Sequence, residues 1–163
     1  MTVELEFNHR LSAQCCRRLM LGSEPWLTLG FTTADVERLA TTAREDEVIA
    51  ARVGEDVVGF SLSASGVLIG GYLRLLVVGI EHRGLGIGSQ LLEAFEKQTF
   101  ARWPNAYLCV SDFNTRAREF YRRAGYGEVG ELPDLLVPGR SELLMRKSIG
   151  AWRQFQERSS GRD

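Results

Sequence analysis

A glycine-rich segment near the middle of the chain does most to limit what this sequence can fold into. Leu75 to Val78 end an apolar run, which predicts a central β-strand because the run is apolar on both faces. Glycines follow at positions 84, 86 and 88, and an amphipathic helix begins directly after them. Such glycines let the backbone approach a ligand with its N–H groups turned inward, and the helix N-terminus adds partial positive charge. The segment therefore predicts a site for a phosphate or pyrophosphate.

The spacing of the glycines argues against two familiar nucleotide-binding loops. A Walker A loop needs a lysine directly after its last glycine, and none follows here. A dinucleotide fingerprint needs G-x-G-x-x-G and an acidic residue ending the next strand, whereas this chain has G-x-G-x-G and only Asp112 just past that strand. ATP and NAD are therefore disfavoured. A turn that binds nothing is disfavoured too, because three glycines cost helix and strand propensity.

Apolar periodicity on either side of the glycines predicts the other elements. Ser12 is a candidate N-cap for one helix, and Thr32 or Thr33 for a second. A helix follows the glycines, and another runs from Asn114 to Arg123. The predicted strands are Val3 to Phe7, Glu47 to Val53, Val57 to Ser63, the run ending at Val78, Tyr107 to Val110, Val129 to Leu132 and Leu143 to Arg146. The order β-α-α-β-β-β-α-β-α-β-β predicts an α/β sandwich with helices on both faces of a mixed sheet.

The length of 163 residues suits one domain, which we place at residues 1–150. Residues 151–163 are predicted to be a C-terminal extension that is partly disordered, with a disordered tail from Ser159 to Asp163. Within the extension, Trp152 and Phe155 lie three positions apart and favour a short helix. That helix would pack on the domain or on a partner chain, the second case being a homodimer.

Composition excludes several classes of function. The formal net charge is −1, so the chain has no bulk positive field for nucleic acid. No apolar run approaches the ~20 residues that span a bilayer, and the acidic N-terminus is unlike a signal peptide. Three cysteines, two of them adjacent, and two isolated histidines give neither a disulfide framework nor a metal site. We therefore expect a cytoplasmic protein without a bound metal, a membrane or a nucleic-acid partner.

Two segments together resemble the GNAT superfamily of N-acetyltransferases. Arg83-Gly84-Leu85-Gly86-Ile87-Gly88 is similar to the R/Q-x-x-G-x-G/A signature of that family, in a similar strand–loop–helix context. A second signature is matched by Val110, Asn114, Ala117, Phe120-Tyr121 and Gly125-Tyr126. The likeness covers about Glu47 to Lys147, and the first 45 or so residues match only in their helical pattern.

The resemblance implies a GNAT-type fold, which is a mixed, mostly antiparallel central sheet with helices on both faces and with strands four and five splayed. It also implies an N-acetyltransferase with acetyl-CoA as co-substrate. Such an enzyme moves the acetyl group to a primary amine by direct transfer through a ternary complex. The alternative is a non-catalytic acyl-CoA-binding sensor of the same fold, against which the presence of Tyr121 argues.

Several positions receive roles from the resemblance. The pantetheine arm is expected to pair like an extra strand beside Leu76, Val77 and Val78, and the amide of Val78 is the candidate donor to the thioester oxygen. Asn114 is expected either to touch the co-substrate or only to cap its helix. The pyrophosphate is expected on the segment made of Arg83, Gly84, Leu85, Gly86, Ile87, Gly88 and Ser89.

Proton transfer is assigned only in part. Tyr121 is the candidate general acid because a phenol can protonate the departing thiolate, although its helical spacing is also that of a core aromatic residue. Relatives place a glutamate base where this chain has Tyr72 or Cys109, and Cys109 is expected to be a small buried residue. The base is therefore open between water and an acid near the loops, namely Glu24, Glu81, Glu131 or Asp134.

The acceptor is also left open. By the resemblance, acceptor specificity resides in Glu24 to Leu27 and in Leu132 to Pro138. Trp26 is either a wall of an apolar pocket or a packing anchor. A small-molecule amine and a peptide N-terminus both fit these segments.

Overall fold

The computed structural model describes residues 2–160, and within them it has the predicted order of strands and helices. The strands are β1 Glu4–Phe7, β2 Val48–Val53, β3 Asp56–Ser65, β4 Gly70–Val78, β5 Asn105–Ser111, β6 Gly127–Pro133 and β7 Ser141–Ser148. The helices are α1 Ala13–Met20, α2 Thr33–Thr42, α3 Ile87–Phe100, α4 Thr115–Arg123 and α5 Trp152–Ser160. None of the helices in this described part is long and apolar enough to cross a membrane.

The C-terminal extension contains the predicted short helix, which is α5. Trp152 and Phe155 lie on α5, where Trp152 stacks between Phe155 and Trp103 at centroid distances of 6.1 and 5.6 Å. Ser159 and Ser160 lie in the last turn of α5, and each hydroxyl donates to a backbone carbonyl one turn earlier at 2.9 Å. The disorder expected for this tail stays a prediction. Residues 161–163 of the predicted tail lie outside the described residues.

The seven strands form a sheet in the order β1-β2-β3-β4-β5-β7-β6. Antiparallel ladders join β1 to β2, β2 to β3, β5 to β7 and β6 to β7. The β4–β5 ladder is parallel. Two consecutive strands can run parallel only when a crossover connects them, and here α3 is that crossover. The prediction of a mixed, mostly antiparallel sheet is confirmed.

The parallel ladder of β4 and β5 covers only part of each strand. Gly70 to Leu73 pair with Asn105 to Leu108, whereas β4 itself continues to Val78. Beyond Leu108, β5 continues its antiparallel ladder with β7 as far as Ser111 opposite Glu142. The splay of strands four and five stays a prediction.

The residues group into two compact units, one made of the chain up to Ser63 with Arg74–Phe95, the other of Ala64–Leu73 with the chain from Glu96. The core of the first unit includes the buried cluster Ile49, Ala51, Val58, Ile87, Leu91 and Ala94. The second unit contains α4, α5 and the last three strands, and its buried residues include Leu108, Tyr126 and Met145. A single domain over residues 1–150 stays a prediction.

The N-terminal helices begin at the predicted capping residues. The Ser12 hydroxyl accepts a hydrogen bond from the Cys15 amide at 3.1 Å, which caps α1. Thr32 and Asp35 form a reciprocal capping box at the start of α2. The Thr32 cap fixes one end of the connecting loop, residues 21–32, which contains the predicted acceptor segment.

Candidate functional site

The segment after β4 has the backbone conformation that a cradle for an anion requires. Gly84 and Gly86 have φ angles of 81° and 79°, in the left-handed region where a side chain is strained. A Cβ added at either position would meet no heavy atom within 4 Å beyond its chain neighbours, so packing does not explain these glycines. The path of the backbone into α3 explains them.

The first turn of α3 supplies unpaired amides next to this segment. The helix begins at Ile87, so Ile87, Gly88 and Ser89 of the predicted pyrophosphate segment form its first turn. The Gln90 amide donates to the Gly86 carbonyl at 3.1 Å, which is the first bond of the helix. The amides of Ile87, Gly88 and Ser89 come before it and have no acceptor within the helix. The first turn of α3 carries no acidic side chain. A phosphate-like anion is therefore the ligand that these amides favour.

Core packing holds this turn in place. One face of α3, predicted from its apolar spacing, is at most 2% exposed: Ile87, Leu91, Leu92 and Phe95. Ile87 and Leu91 pack in the same cluster as Val58 of β3. Because close-packed cores resist small displacements, the directions of the first amides of α3 are set before a ligand binds.

The end of β4 leaves backbone groups that β3 does not use. The Gly79 amide donates to the Val58 carbonyl of β3 at 2.9 Å. The Val77 carbonyl also faces β3, because a Cβ on Gly59 would lie 2.7 Å from its oxygen. Backbone groups alternate in direction along a strand, so the N–H and C=O of Val78 point away from β3. The amide predicted as the thioester donor is thus not consumed by the β3–β4 ladder.

Gly59, which the sequence did not single out, supports this end of β4. A Cβ at Gly59 would lie 2.7 Å from the Val77 oxygen and 3.4 Å from Cδ1 of Leu91, so Gly59→Ala must push backbone or core atoms aside. We predict a loss of about 2 kcal/mol in the free energy of unfolding, measured by urea denaturation. Ser61→Ala on the same strand removes an atom instead of adding one, and it is the control that should keep wild-type stability. A fully stable Gly59→Ala variant would contradict the close approach of β3 and β4.

Arg83 joins the glycine segment to the loop between α1 and α2. Its Nε donates to the Val78 carbonyl at 3.0 Å, and one terminal nitrogen donates to the Ser23 hydroxyl and to the Glu24 carbonyl, each at 3.2 Å. The sequence placed Arg83 among the residues that hold the co-substrate. Its guanidinium in addition fixes the end of β4 against the predicted acceptor segment, a role that only the tertiary structure reveals.

In the second unit, Asn114 lies at the start of α4. Its side-chain oxygen accepts a hydrogen bond from the Ala117 amide at 3.2 Å, which makes Asn114 the N-cap of the helix. The capping role expected from the sequence is therefore present. A contact with the co-substrate stays a prediction.

Tyr121 is buried on α4 among other aromatic rings. It is 9% exposed and makes edge-to-face contacts with Phe120 and Tyr126 at centroid distances of 5.1 and 6.0 Å. Burial raises the pKa of its phenol above the usual value. The hydroxyl therefore stays protonated through the neutral range, which is the state that a proton donor requires. Both expectations for Tyr121, the core aromatic and the donor, are compatible with this position.

The choice of base stays open: of the four acids named from the sequence, Glu24 and Asp134 accept hydrogen bonds in their own loops, and Glu81 and Glu131 are exposed. Cys109 is half-buried, and burial raises the pKa of its thiol, so little thiolate forms near neutral pH. Glu24 accepts hydrogen bonds from the amide and the hydroxyl of Thr28, at 3.2 and 2.9 Å. Asp134 accepts one from the Gly139 amide at 2.7 Å. Both carboxylates thus stabilise turns in their own loops.

Glu142 of β7 is a buried acid that the sequence did not single out. It is 5% exposed, and its Oε1 accepts a hydrogen bond from the Ser111 hydroxyl at 2.5 Å. Burial raises the pKa of its carboxyl, and the negative charge of Asp112 adds to the rise. Glu142 directly precedes the predicted strand Leu143 to Arg146, and no local signal marked it, because the position of Ser111 opposite it depends on the strand register.

The predicted acceptor segments differ in their exposure. Trp26 is 7% exposed and contacts Phe31 edge to face at 5.2 Å, so it packs inside the loop between α1 and α2. Leu135 and Leu136, in the connection from β6 to β7, are 51% and 54% exposed. The packing role for Trp26 is therefore observed, and the exposed leucines offer the apolar surface.

Comparisons with known proteins agree with these features. The sequence profile of the acetyltransferase (GNAT) family matches residues 10–126. A protein of Methanocaldococcus jannaschii described as an uncharacterized N-acetyltransferase is 39% identical over 79 residues, which are 47% of this chain and 51% of that protein. The chain thus spans about half the length of this curated relative.

Solved structures share the fold over nearly the whole chain. Ard1 from Thermoplasma volcanium superposes with a TM-score of 0.73 at 20% identity, and the matched region is 93% of this chain and 100% of the Ard1 chain. The ribosomal-protein-S18-alanine N-acetyltransferase of Escherichia coli gives a TM-score of 0.72 at 14% identity, with 92% and 96% covered. At these identities the likeness concerns the fold alone.

Proposed function

The chain belongs to the GNAT acetyltransferase family, and on that premise we propose that it transfers an acetyl group from acetyl-CoA to a primary amine. The observation that carries the proposal is the cradle of unpaired amides at the start of α3, preceded by two left-handed glycines. The transfer is direct, within a ternary complex of protein, acetyl-CoA and amine.

In this proposal the cradle binds the pyrophosphate of acetyl-CoA. Gly84 to Ser89 present their amides to it, and the fit is supported by the lack of an acidic side chain in the first turn of α3. Arg83 helps to hold the segment against the end of β4 through its bond to the Val78 carbonyl at 3.0 Å. No lysine or metal ion is needed to balance the phosphate charge when backbone amides and the helix N-terminus face it.

The end of β4 is proposed to bind the pantetheine arm as an added strand. Leu76, Val77 and Val78 belong to this stretch, and the backbone groups of Val78 point away from β3, as an added strand requires. The Val78 amide then donates to the thioester oxygen, where negative charge develops when the amine attacks. A fixed amide at such a position lowers the barrier because it needs no reorganisation.

Tyr121 is proposed to donate its phenolic hydrogen to the departing sulfur. The pKa of a thiol is about 8.5, so the leaving group is weakly basic and a protonated donor nearby suffices. Burial keeps the Tyr121 phenol protonated because it raises the pKa. Asn114, at the start of the same helix, is proposed to contact acetyl-CoA while it caps α4.

The acceptor is proposed to be either the N-terminus of a peptide or a small-molecule amine. The exposed Leu135 and Leu136 provide apolar contact surface, as the side chain next to a reactive amine would need. By its name, the Escherichia coli neighbour acetylates an alanine of ribosomal protein S18, and we therefore choose a peptide with alanine at its N-terminus as the first acceptor to test.

Calorimetry separates acetyl-CoA binding from nucleotide binding. The chain is titrated with acetyl-CoA, NAD and ATP in separate experiments. We expect saturable binding of acetyl-CoA and none of NAD or ATP, because the glycine spacing matches neither nucleotide loop. Binding of a nucleotide without binding of acetyl-CoA would reject the proposed co-substrate.

Turnover is tested by the release of free CoA thiol with a panel of amines. The panel contains a peptide with a free N-terminal alanine, the same peptide with its N-terminus blocked, lysine and spermidine. We expect release with at least one free amine and none with the blocked peptide. Tight binding of acetyl-CoA without turnover on any amine would instead identify a non-catalytic acyl-CoA sensor.

A further inference from the structure

We propose that Glu142 is the general base that takes the proton from the acceptor amine. Glu142 lies on β7, next to the strand β5 that carries Cys109. The inference rests on the proposed function, since it names the base for that same transfer. It stands on the placement of Glu142 in a polar row on one face of the β4, β5 and β7 strands.

Strand register brings this row together. Ser111 pairs with Glu142 and Cys109 pairs with Leu144, so the side chains of Cys109, Ser111 and Glu142 share one face of the sheet. Tyr72 of β4 hydrogen-bonds to Cys109 at the same face. The row therefore runs from Tyr72 through Cys109 to Glu142, and it contains the two positions where the resemblance implies a glutamate that this chain lacks.

Glu142 is buried and has no ion pair among the described residues, unlike a second largely buried acid of the same unit. The carboxylate of Glu96 pairs with Nζ of Lys147 at 2.7 Å, which offsets the cost of removing its charge from water. The hydrogen bond recorded for Glu142 within residues 2–160 comes from Ser111, at 2.5 Å. A buried carboxylate with one neutral hydrogen-bond donor contributes little to fold stability, because its charge is removed from water without a cation. A role in accepting a proton is the better explanation of its position.

The charged and titratable groups that face Glu142 explain its affinity for a proton. Burial is the main cause of the raised pKa, and Asp112 at the end of β5 adds a second negative charge. The Ser111 hydroxyl acts in the opposite direction, because it donates to the ionised form. Two cations approach Asp112: a terminal nitrogen of Arg140 lies 4.0 Å from its Oδ1, and one of Arg118 donates to its backbone carbonyl at 3.3 Å. The thiol of Cys109 stays neutral.

The proposed step balances in protons and electrons. The lone pair of the neutral amine forms the N–C bond to the thioester carbonyl carbon, and one N–H proton passes to Glu142. The C–S bond breaks with its electron pair on sulfur, which receives the proton of Tyr121. Glu142 later releases its proton to water and Tyr121 regains one from water, so the products are the amide and free CoA thiol.

The test compares Glu142→Gln with Glu119→Gln, using the best acceptor of the amine panel at saturation. Glu119 lies on α4 with its side chain 69% exposed, so its variant should keep wild-type kcat. We expect Glu142→Gln to lower kcat about 100-fold, the usual size of a general-base effect, with an unchanged Kd for acetyl-CoA. A role in stability alone predicts the reverse, a lower Tm with a normal kcat.

The pH profile adds a readout that a structural role would not move. The base acts when ionised, so wild-type kcat falls as the pH drops through the raised pKa of Glu142, and Glu142→Gln should lose this acid limb. Ser111→Ala should keep the limb but move it to higher pH, because the hydroxyl that favours the ionised form is gone.

An unchanged acid limb in both variants would overturn the role of Glu142 while the acetyltransferase proposal stands. Absence of wild-type turnover on every amine would instead reject the proposed function itself. The two failures are therefore distinguishable.

Discussion

Replacement of Gly86 by valine is expected to weaken acetyl-CoA binding at least tenfold while the chain remains folded. Gly86 has a φ of 79°, and a β-branched residue held in that region costs about 1–2 kcal/mol. The backbone relieves the strain by turning, which moves the amides of Ile87 and Gly88 away from a common ligand. A loss of about 1.4 kcal/mol of binding free energy corresponds to the tenfold change, measured by calorimetry with acetyl-CoA.

Gly54→Val is the matched control for this experiment. Gly54 has a φ of 59° in the turn between β2 and β3, and a Cβ there also meets no heavy atom within 4 Å. Both variants should therefore lose similar stability, whereas only Gly86→Val should lose affinity for acetyl-CoA. Equal Kd values for the two variants would show that the cradle is misplaced.

Local sequence patterns were enough to predict most of the fold and the cradle. The strand ending at Val78, the glycines after it and the amphipathic face of α3 lie within one short stretch, so their geometry follows from local conformational preferences. The N-caps at Ser12 and Asn114 are likewise local hydrogen bonds. Each of these features depends on residues that are close in the chain.

Features that depend on distant pairing were not predictable from one sequence. Ser111 and Glu142 meet through the β5–β7 register, and Gly59 approaches Val77 only because β3 lies beside β4. The guanidinium of Arg83 bonds to the α1–α2 loop about 60 positions earlier in the chain, and no local pattern encodes such a contact. The stacking of Trp152 of α5 on Trp103 is a further contact between positions distant in the chain.

Replacement of Tyr121 by phenylalanine is expected to lower kcat about 100-fold with little change in the Kd for acetyl-CoA. The variant keeps the ring contacts with Phe120 and Tyr126, so only the phenolic proton is lost. A positioned acid contributes about 10²–10⁴ to a proton-transfer step, and the lower end suits a weakly basic thiolate. Release of CoA thiol with the best acceptor measures kcat.

The pH dependence and a neighbouring variant decide between the two roles of Tyr121. An acid acts when protonated, and burial raises the pKa of this phenol, so its loss should cost the same factor at every pH below about 10. Tyr126→Phe removes a hydroxyl from a ring that is 2% exposed and 6.0 Å from Tyr121, so it reproduces the packing change without the donor. If both variants reduce kcat equally, Tyr121 contributes packing. If only Tyr121→Phe does, the phenol donates the proton to the leaving sulfur.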